Sequence, residues 1–452
     1  MPLSAHLRAV LVLGLPLIGS NVAQMALHVT DTVMLGWYGV NELAAGVLAA
    51  GMFFLMFLLG TGFAFAVMGR VSAALGAGDD TQMRRDTRMG LWLSMIFALL
   101  AFPVFWFSGA ILRLLGQDPT LSAMAEAYLR VAWLGLGPAL VIATLKSYLA
   151  AQERAQVVLW ITLVGVVLNV VLNWALIFGN WGAPELGLQG AAIASVVVAL
   201  TGAIMAALYA GLAPDLRHVG LFQRFWRPDW EAFWSVARMG VPIGLTSVFE
   251  ATMFQASAIM MGWIGVRELA AHGIALELAS ITFMVHMGLS HAATVRTGRA
   301  HGAGLVEHMR TGAVAAHMLS FCFGVLTVAI FLLFPEQLVG LFLDASDAEA
   351  PGILLVGVGL LAMAALFQIF DSLQVMAIGL LRGVQDTRVP MWITLTAYWA
   401  LGVPASYLLA FVFGWGPKGL WLGLMVGLAA AGGALAWRFW TGPWMRPVAA
   451  RS

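Results

Sequence analysis

Four acidic residues stand inside long apolar runs of this sequence: Asp31, Glu250, Glu277 and Asp371. In the middle of a membrane an ionised side chain costs about 2.5–3.5 kcal/mol on insertion scales, so acids in such places mark functional sites. A carboxylate with little water around it can take up a proton or bind a sodium ion through its oxygens. These positions therefore predict reversible ion binding, with Glu250 and Asp371 as the leading pair.

Neighbouring residues leave some of these acids with more than one interpretation. Gln374 lies three residues after Asp371 and Gln368 three residues before it, so they give that helix a polar face. Asp31 is either an ion-binding residue or a structural aspartate near the outer interface. Glu277 is either a third member of the ion-binding set or a paired structural acid.

Two amides and a charge pair extend the set of polar residues in the apolar runs. Asn169 and Asn173 are four residues apart and share one helix face. Their side chains either form part of a binding site or make hydrogen bonds between helices. Thr201 is a further candidate. Glu126 and Arg130, also four apart, form either a structural ion pair near the outer end of their helix or part of a functional site.

The composition places these runs in a membrane. Of the 452 residues 61% are hydrophobic and only 10% are charged, whereas a soluble domain carries about 25% charged residues. A soluble multidomain enzyme is therefore excluded. Because a spanning helix needs roughly 20 apolar residues, the sequence predicts an all-α polytopic membrane protein with 12 transmembrane helices. Their approximate ranges are 9–36, 44–69, 87–113, 121–147, 156–180, 187–212, 233–261, 269–295, 310–341, 351–380, 389–414 and 417–441.

The residues that other functions require are missing from the sequence. Its lysines, Lys146 and Lys418, belong to no Gly-x-x-x-x-Gly-Lys motif, so this chain does not hydrolyse a nucleotide and must draw on an ion gradient. The single cysteine, Cys322, excludes a disulfide framework. A net charge of +1 without a basic run gives no indication of nucleic acid. We expect no enzymatic activity and no cofactor beyond a coupling ion, Na⁺ or H⁺.

Basic residues indicate the orientation of the chain in the membrane. With the N-terminus in the cytoplasm, 19 of the 23 Lys and Arg residues fall on the cytoplasmic side, Lys146 and Arg382 among them. The opposite side holds Arg113, Arg267 and Lys418. Because short cytoplasmic loops are rich in Lys and Arg, we predict a multi-pass protein of the bacterial inner membrane with both termini in the cytoplasm.

The two halves of the sequence are repeats of one another. A shift of 226 residues aligns their first parts without a gap, from Gly14 to Gly78 in the first half. Within this stretch residues 36–45 are identical to their counterparts at eight of ten positions. Six spans in each half predict two parallel six-helix lobes around a central cavity that opens alternately to the two sides. The predicted segments are an N-lobe, 1–212, a cytoplasmic linker, 213–231, and a C-lobe, 232–452.

Two segments resemble the multidrug and toxic compound extrusion (MATE) family of transporters. Residues 29–36, at the end of the first span, read Val-Thr-Asp-Thr-Val-Met-Leu-Gly, and residues 381–390, after the tenth, read Leu-Arg-Gly-Val-Gln-Asp-Thr-Arg-Val-Pro. With the two parallel halves and the paired Gly-Trp-x-Gly-Val loops, the similarity covers essentially the whole chain. It implies an antiporter that exports amphipathic, often cationic compounds in exchange for sodium ions or protons.

The resemblance also implies roles for particular residues. Glu250 and Asp371 match the C-lobe carboxylates of the NorM-like branch, and with Asp31 they are the expected ion-coupling residues. The first two would hold Na⁺ if the transporter is sodium-coupled. The N-lobe polar cluster of the family is matched by Asp31, Asn169, Asn173 and Thr201. The expected polar residues for substrate are Asn169, Asn173, Thr201, Gln374 and Glu277.

One position departs from the NorM-like pattern. Members of that branch can carry a tyrosine one turn before the aspartate of the tenth span, where this chain has Phe367. The substitution removes one oxygen near Asp371, which weakens a sodium site. Coupling to protons therefore remains an alternative to coupling to sodium ions.

The resulting prediction is a secondary-active multidrug efflux antiporter that works as a monomer in the lipid bilayer, without a nucleic-acid partner. A lipid-linked oligosaccharide flippase of the same superfamily would need a strongly cationic cavity, whereas the charges inside these spans are mostly acids. A major-facilitator transporter would show an Asp-Arg-rich signature after the second span, where residues 69–80 read Gly-Arg-Val-Ser-Ala-Ala-Leu-Gly-Ala-Gly-Asp-Asp. A membrane scaffold or receptor would not need four acids inside its spans.

Overall fold

A computed structural model describes residues 2–343 and 348–446 of the chain. In this part of the chain 12 helices are long and apolar enough to cross a membrane, and we number them α1 to α12. The predicted all-helical architecture of twelve spans is thereby confirmed. The helices are α1 Leu3–Tyr38, α2 Val40–Ala77, α3 Asp80–Trp106, α4 Pro119–Ala151, α5 Ala155–Phe178, α6 Leu188–Leu212, α7 Trp230–Ile264, α8 Val266–Gly302, α9 Val306–Leu333, α10 Ala350–Gly383, α11 Arg388–Val412 and α12 Gly416–Thr441.

Most of the helices extend beyond the apolar runs that predict them. α1 begins at Leu3 and ends at Tyr38, because a helix continues past the apolar core of the membrane into its polar interface. Seven of the eleven connections between spans have four residues or fewer, and Gly39 alone separates α1 from α2. Two short helices, Ser108–Leu114 and Pro335–Gly340, follow α3 and α9.

The sequence repeat has the same local structure in both halves. Gly39 precedes α2 and Gly265 precedes α8, each with an extended backbone. A Cβ on either glycine would lie 2.1 Å from a carboxylate oxygen of the glutamate three residues later, Glu42 or Glu268. Each glutamate therefore folds back over the start of its helix, as in a capping box, and glycine leaves room for it.

The repeat continues into later spans, beyond the ungapped alignment. The turns after α4 and α10 each place a non-glycine residue in the left-handed region, Glu153 with φ 59° and Gln385 with φ 63°. A Trp-Ile-Thr sequence follows in both halves, at 160–162 and 392–394. Two turns with the same strained backbone position indicate that the halves share their structure past the segment that the sequence alignment covers.

Glycines allow helix backbones to touch at two crossings. Gly62 of α2 meets Gly240 and Gly244 of α7, and a Cβ on Gly62 would lie 2.2 Å from the Gly240 carbonyl oxygen. At the equivalent place Gly288 of α8 meets Ile18 of α1, and a Cβ on Gly288 would lie 2.7 Å from the Ile18 backbone nitrogen. Small residues permit such close packing of membrane helices, and the 226-residue repeat relates the two crossings.

The chain divides into two compact units. The N-unit is Gly19–Gly244, and the C-unit comprises the chain up to Ile18 and from Leu245 onward. Both boundaries lie two residues after a proline, Pro16 in α1 and Pro242 in α7, whose ring removes a backbone hydrogen bond from its helix. α1 and α7 each contribute to both units. The lobe boundaries predicted from the sequence differ from these units in both helices and remain a prediction.

α11 departs from regular α-helical geometry in two stretches. Thr396–Gly402 and Leu408–Val412 are π-helical. A π-helical stretch changes the direction in which side chains leave the helix, and such stretches are frequent at functional sites. Tyr398 lies in the first of them.

Candidate functional site

In the N-unit two helices bring hydrogen-bond donors to Asp31 of α1. The Nδ2 atoms of Asn169 and Asn173 on α5 donate to Asp31 Oδ1 at 3.0 and 2.6 Å. The hydroxyl of Ser195 on α6 donates to Asp31 Oδ2 at 3.3 Å. We call these four residues the Asp31 cluster. Both asparagines are buried, so the carboxylate provides acceptors that they could not obtain from water.

Sequence reasoning placed Thr201 in this cluster and missed two of its neighbours. Thr201 is on α6, six residues after Ser195, and makes no hydrogen bond to the cluster among the residues that the structure describes. Ser195 donates to Asp31, and Tyr128 of α4 lies close to both of them. Serine and tyrosine are common in membrane helices, so neither position carried a signal in the sequence.

In the C-unit Glu250 of α7 and Asp371 of α10 lie close enough for their charges to interact. Asp371 is 2% exposed. Glu250 Oε1 is buried and has no hydrogen-bond partner within the described ranges. Arg382, further along α10, interacts with Glu250 as an opposite charge. The structure thus brings the two predicted acids together and adds a base that sequence reasoning did not assign to the site.

Tyr398 of α11 completes this group, which we call the Glu250 cluster: Glu250, Asp371, Gln374, Arg382 and Tyr398. Gln374 Nε2 donates to the Tyr398 hydroxyl oxygen at 2.6 Å. The charges of both acids act on Tyr398, which is fully buried. The π-helical stretch of α11 determines where this side chain leaves the helix. Gln374 therefore binds Tyr398, a residue that helical spacing did not indicate, and the role of Gln374 towards substrate remains a prediction.

Phe367 has a packing role in the C-unit. Its ring lies at 5.9 Å from Phe254 and 5.6 Å from Trp421, both edge-to-face, and it is 3% exposed. Phe367 carries no hydroxyl, and the phenol near Asp371 and Glu250 is that of Tyr398 on α11, whose charge interactions include both acids.

Glu277 and Gln368 make no hydrogen bond to either cluster within the residues that the structure describes. Glu277 is half-buried on α8 and makes no hydrogen bond or ion pair with any residue that the structure describes. Gln368 joins α10 to α8 through the carbonyl of Ala279, at 3.4 Å. Within 2–343 and 348–446 no three His, Cys, Asp or Glu side chains form a metal-binding group.

The Glu126–Arg130 pair favours the structural interpretation. The two side chains form an ion pair, and Arg130 also donates to the carbonyl of Trp106 at 3.3 Å. Its guanidinium lies 4.6 Å from the centre of the Trp106 ring. These contacts fasten α4 to the end of α3.

Lys146 and Arg382, which we assigned to the cytoplasmic side, interact with residues of other spanning helices. Lys146 belongs to α4 and Arg382 to α10. Lys146 donates to Thr162 Oγ1 on α5 at 2.7 Å, and Arg382 interacts with Glu250. The assignment of both residues to the cytoplasmic side remains a prediction.

Comparison with known proteins identifies relatives of the whole chain. The MatE family matches residues 16–175 and 242–408. The "Probable multidrug resistance protein NorM" of Rhizobium meliloti (strain 1021) is 44% identical, over 96% of this chain and 93% of that protein. The protein of the same name from Pseudomonas putida is 38% identical, over 96% of this chain and 94% of that protein.

Solved structures share the fold. The crystal structure of the eukaryotic MATE transporter AtDTX14 has a TM-score of 0.87 at 21% identity, covering 98% of this chain and 97% of that one. An outward-facing multidrug resistance MATE family transporter of the MOP superfamily has a TM-score of 0.88 at 21% identity, covering 99% and 97%. With a sequence match in both halves and relatives aligned over almost their whole length, the chain belongs to the MatE family.

Proposed function

We propose that this chain is a secondary-active multidrug efflux antiporter, which exports amphipathic and cationic compounds in exchange for Na⁺ or H⁺ by alternating access. Relatives aligned over more than nine-tenths of their length carry the name of a multidrug resistance protein, and membership of the MatE family supports a transporter. We further propose that it works as a monomer in the bacterial inner membrane, with both termini in the cytoplasm.

The observation that carries the ion coupling is the pairing of Glu250 with Asp371. Two adjacent carboxylates repel each other when both are ionised, and one base, Arg382, interacts with Glu250. Binding of H⁺ or Na⁺ removes this repulsion, and release of the ion restores a negative site for the cationic group of a drug. The ion and the drug then exclude one another, which is what antiport requires.

Asp31 provides a second place where a proton can act. Its oxygens accept from Asn169, Asn173 and Ser195. A proton on Oδ1 would turn an acceptor into a donor and leave an asparagine N–H without its partner, at the cost of a lost hydrogen bond. Protonation would therefore rearrange α1 against α5, and a drug that donates a hydrogen bond could compete for the same oxygen.

Transport into inside-out vesicles tests this proposal. Ethidium uptake is measured with either a Na⁺ gradient or a proton gradient. In each case the ion concentration is higher inside the vesicles than outside. We expect wild-type protein to take up ethidium under at least one gradient, and Asp371→Asn to lose the driven component at wild-type expression. Asp118→Asn, at the exposed start of α4, is the matched control. Full driven uptake by Asp371→Asn would refute the coupling site, and no driven uptake by wild type would refute antiport.

A further inference from the structure

Lys146 is a basic residue inside a membrane span without an acid beside it. Its ammonium group donates one hydrogen bond, to Thr162 Oγ1 at 2.7 Å, and no opposite charge acts on it among the described residues. Charged residues within membrane spans are rare and lie next to a partner or a transport pathway as a rule. Two of the three ammonium N–H groups of Lys146 thus remain for a ligand.

The hydroxyl groups next to Lys146 cannot neutralise it. Thr162 donates its single hydrogen to the carbonyl of Val158 at 2.9 Å. Its oxygen then accepts from Lys146 and from the hydroxyl of Ser20, which lies 2.8 Å away. Lys146, Thr162 and Ser20 form the Lys146 cluster, which has donors to spare and no negative charge.

The ammonium group points into the span and away from the nearer end of its helix. Lys146 is five residues before the end of α4 at Ala151, or about 7.5 Å along the axis. Its partner Thr162 is seven residues after the start of α5 at Ala155, or about 10 Å along that axis. Lysines near a helix end commonly extend towards water, and this one instead holds its charge deeper than its own backbone.

The Lys146 cluster and the Asp31 cluster lie along the same helix pair. On α1, Ser20 and Asp31 are 11 residues apart, and on α5, Thr162 and Asn169 are seven apart, so both pairs share a helix face. The two clusters are therefore separated by about 10–16 Å along the helices. The contact between α1 and α5 therefore has a basic residue, Lys146, near one end and an acidic residue, Asp31, near the other.

We propose that the Lys146 cluster is an anion-binding subsite for the carboxylate of zwitterionic amphipathic substrates, whose cationic group lies towards Asp31. The inference rests on the proposed function, since it names a class of compound that the transporter exports. A carboxylate would accept charge-assisted hydrogen bonds from the two remaining ammonium N–H groups. The phosphate of a phospholipid headgroup has the same chemistry and would reach the ammonium from the bilayer.

Binding of two matched dyes to the purified full-length protein tests the subsite without requiring transport. The probes are a cationic rhodamine methyl ester and the zwitterionic free acid of the same dye, measured by fluorescence anisotropy. Lys146→Met should weaken binding of the free acid about tenfold or more, which corresponds to the loss of a charged hydrogen bond, and should leave the ester within about twofold. Lys146→Arg should restore binding of the free acid. Lys418→Met, at the exposed second lysine, is the control and should change neither dye.

The other outcomes overturn the subsite. If Lys146→Met weakens the binding of both dyes equally, Lys146 has a structural role. If it changes the binding of neither dye, the ammonium group does not bind substrate. Repeating the titration in nanodiscs with and without anionic phosphatidylglycerol separates the two anions. If the loss on Lys146→Met appears only with the anionic lipid and affects both dyes, the ligand is a lipid phosphate and the proposal fails. Absence of gradient-driven ethidium uptake would refute antiport and leave this binding result standing.

Discussion

Tyr398 combines a hydrogen bond to Gln374 with a position near the acids of the C-unit. Its oxygen accepts from Gln374 at 2.6 Å, and it is fully buried beside Glu250 and Asp371. The phenol hydrogen is available for a carboxylate when no ion is bound, and the oxygen can contribute to a cation site when one is. At the residue scale we therefore expect Tyr398 to contribute to the proposed ion exchange in the C-unit.

Tyr398→Phe should impair coupling more than folding. The substitution leaves Gln374 Nε2 without its acceptor, and an unsatisfied buried group costs about 1–3 kcal/mol. We expect ion-driven ethidium uptake to fall about tenfold or more, which 1.4 kcal/mol would suffice to cause. Tyr407→Phe is the control on the same helix, because Tyr407 is 48% exposed. Uptake by Tyr398→Phe with the wild-type dependence on the ion gradient would contradict this role.

Residue spacing predicted part of each site and missed what depends on tertiary packing. Asn169 and Asn173 share a helix face, so four-residue spacing sufficed to group them. Tyr398 could not be found in this way, because a π-helical stretch breaks the regular period. The hydrogen bond from Lys146 to Thr162 of α5 likewise depends on a neighbouring helix and could not be found from spacing.

At the scale of single elements, Asp229 fixes the start of α7 to α3. Its Oδ1 accepts from the backbone N–H of Ala232 at 3.1 Å, as an N-cap does. Arg85 of α3 donates to both carboxylate oxygens, at 2.5 and 3.1 Å. The linker and the first turn of α7 are thus attached to α3 through one carboxylate.

This attachment should weaken in acid. The hydrogen bonds from Arg85 lower the pKa of Asp229 below its usual value of 3.8. Because its pKa is lower in the folded state, the ionised carboxylate of Asp229 stabilises the fold. This stabilisation is complete above the pKa of the unfolded state and is lost as the pH falls through the pKa of the folded state. Asp229→Asn keeps a helix-capping side chain without the charge. Its thermal midpoint in detergent should lie below that of wild type at about pH 7, and the difference should close below about pH 4. A difference that stays constant with pH would exclude this ion pair as its source.

The crossing of α2 and α7 sets a steric limit on substitution. A Cβ on Gly62 would lie 2.2 Å from the Gly240 carbonyl oxygen and 2.5 Å from the Gly244 nitrogen. Both are backbone atoms, so the helices would have to separate, and overpacking of this kind costs about 1–3 kcal/mol. We expect Gly62→Ala to lower the thermal midpoint and the yield of folded protein. Gly51→Ala, on the same helix with nothing within 4 Å of its Cβ, should change neither, and an equal effect of both would refute the crossing as the cause.

At the scale of the whole molecule, the number of spans that the sequence predicts is confirmed, and the predicted lobe boundaries remain a prediction. Spans follow from composition, because roughly 20 apolar residues must cover the membrane core. The unit boundaries instead lie within α1 and α7, after Ile18 and Gly244. They depend on which half of each helix packs against which neighbour, and the glycines at the crossings show this only once their contacts are known.

The sorting of basic residues makes the orientation of the chain testable. Of 23 Lys and Arg residues, 19 lie on the side that we assign to the cytoplasm, and this bias sets the orientation of membrane proteins. In a Cys322→Ser background, cysteines replace two exposed residues, Gln117 between α3 and α4 and Arg217 between α6 and α7. A membrane-impermeant maleimide should label Gln117→Cys in spheroplasts and Arg217→Cys in inside-out vesicles. Labelling in the reverse pattern would place the linker outside, and labelling of both sites in intact spheroplasts would contradict an odd number of spans between them.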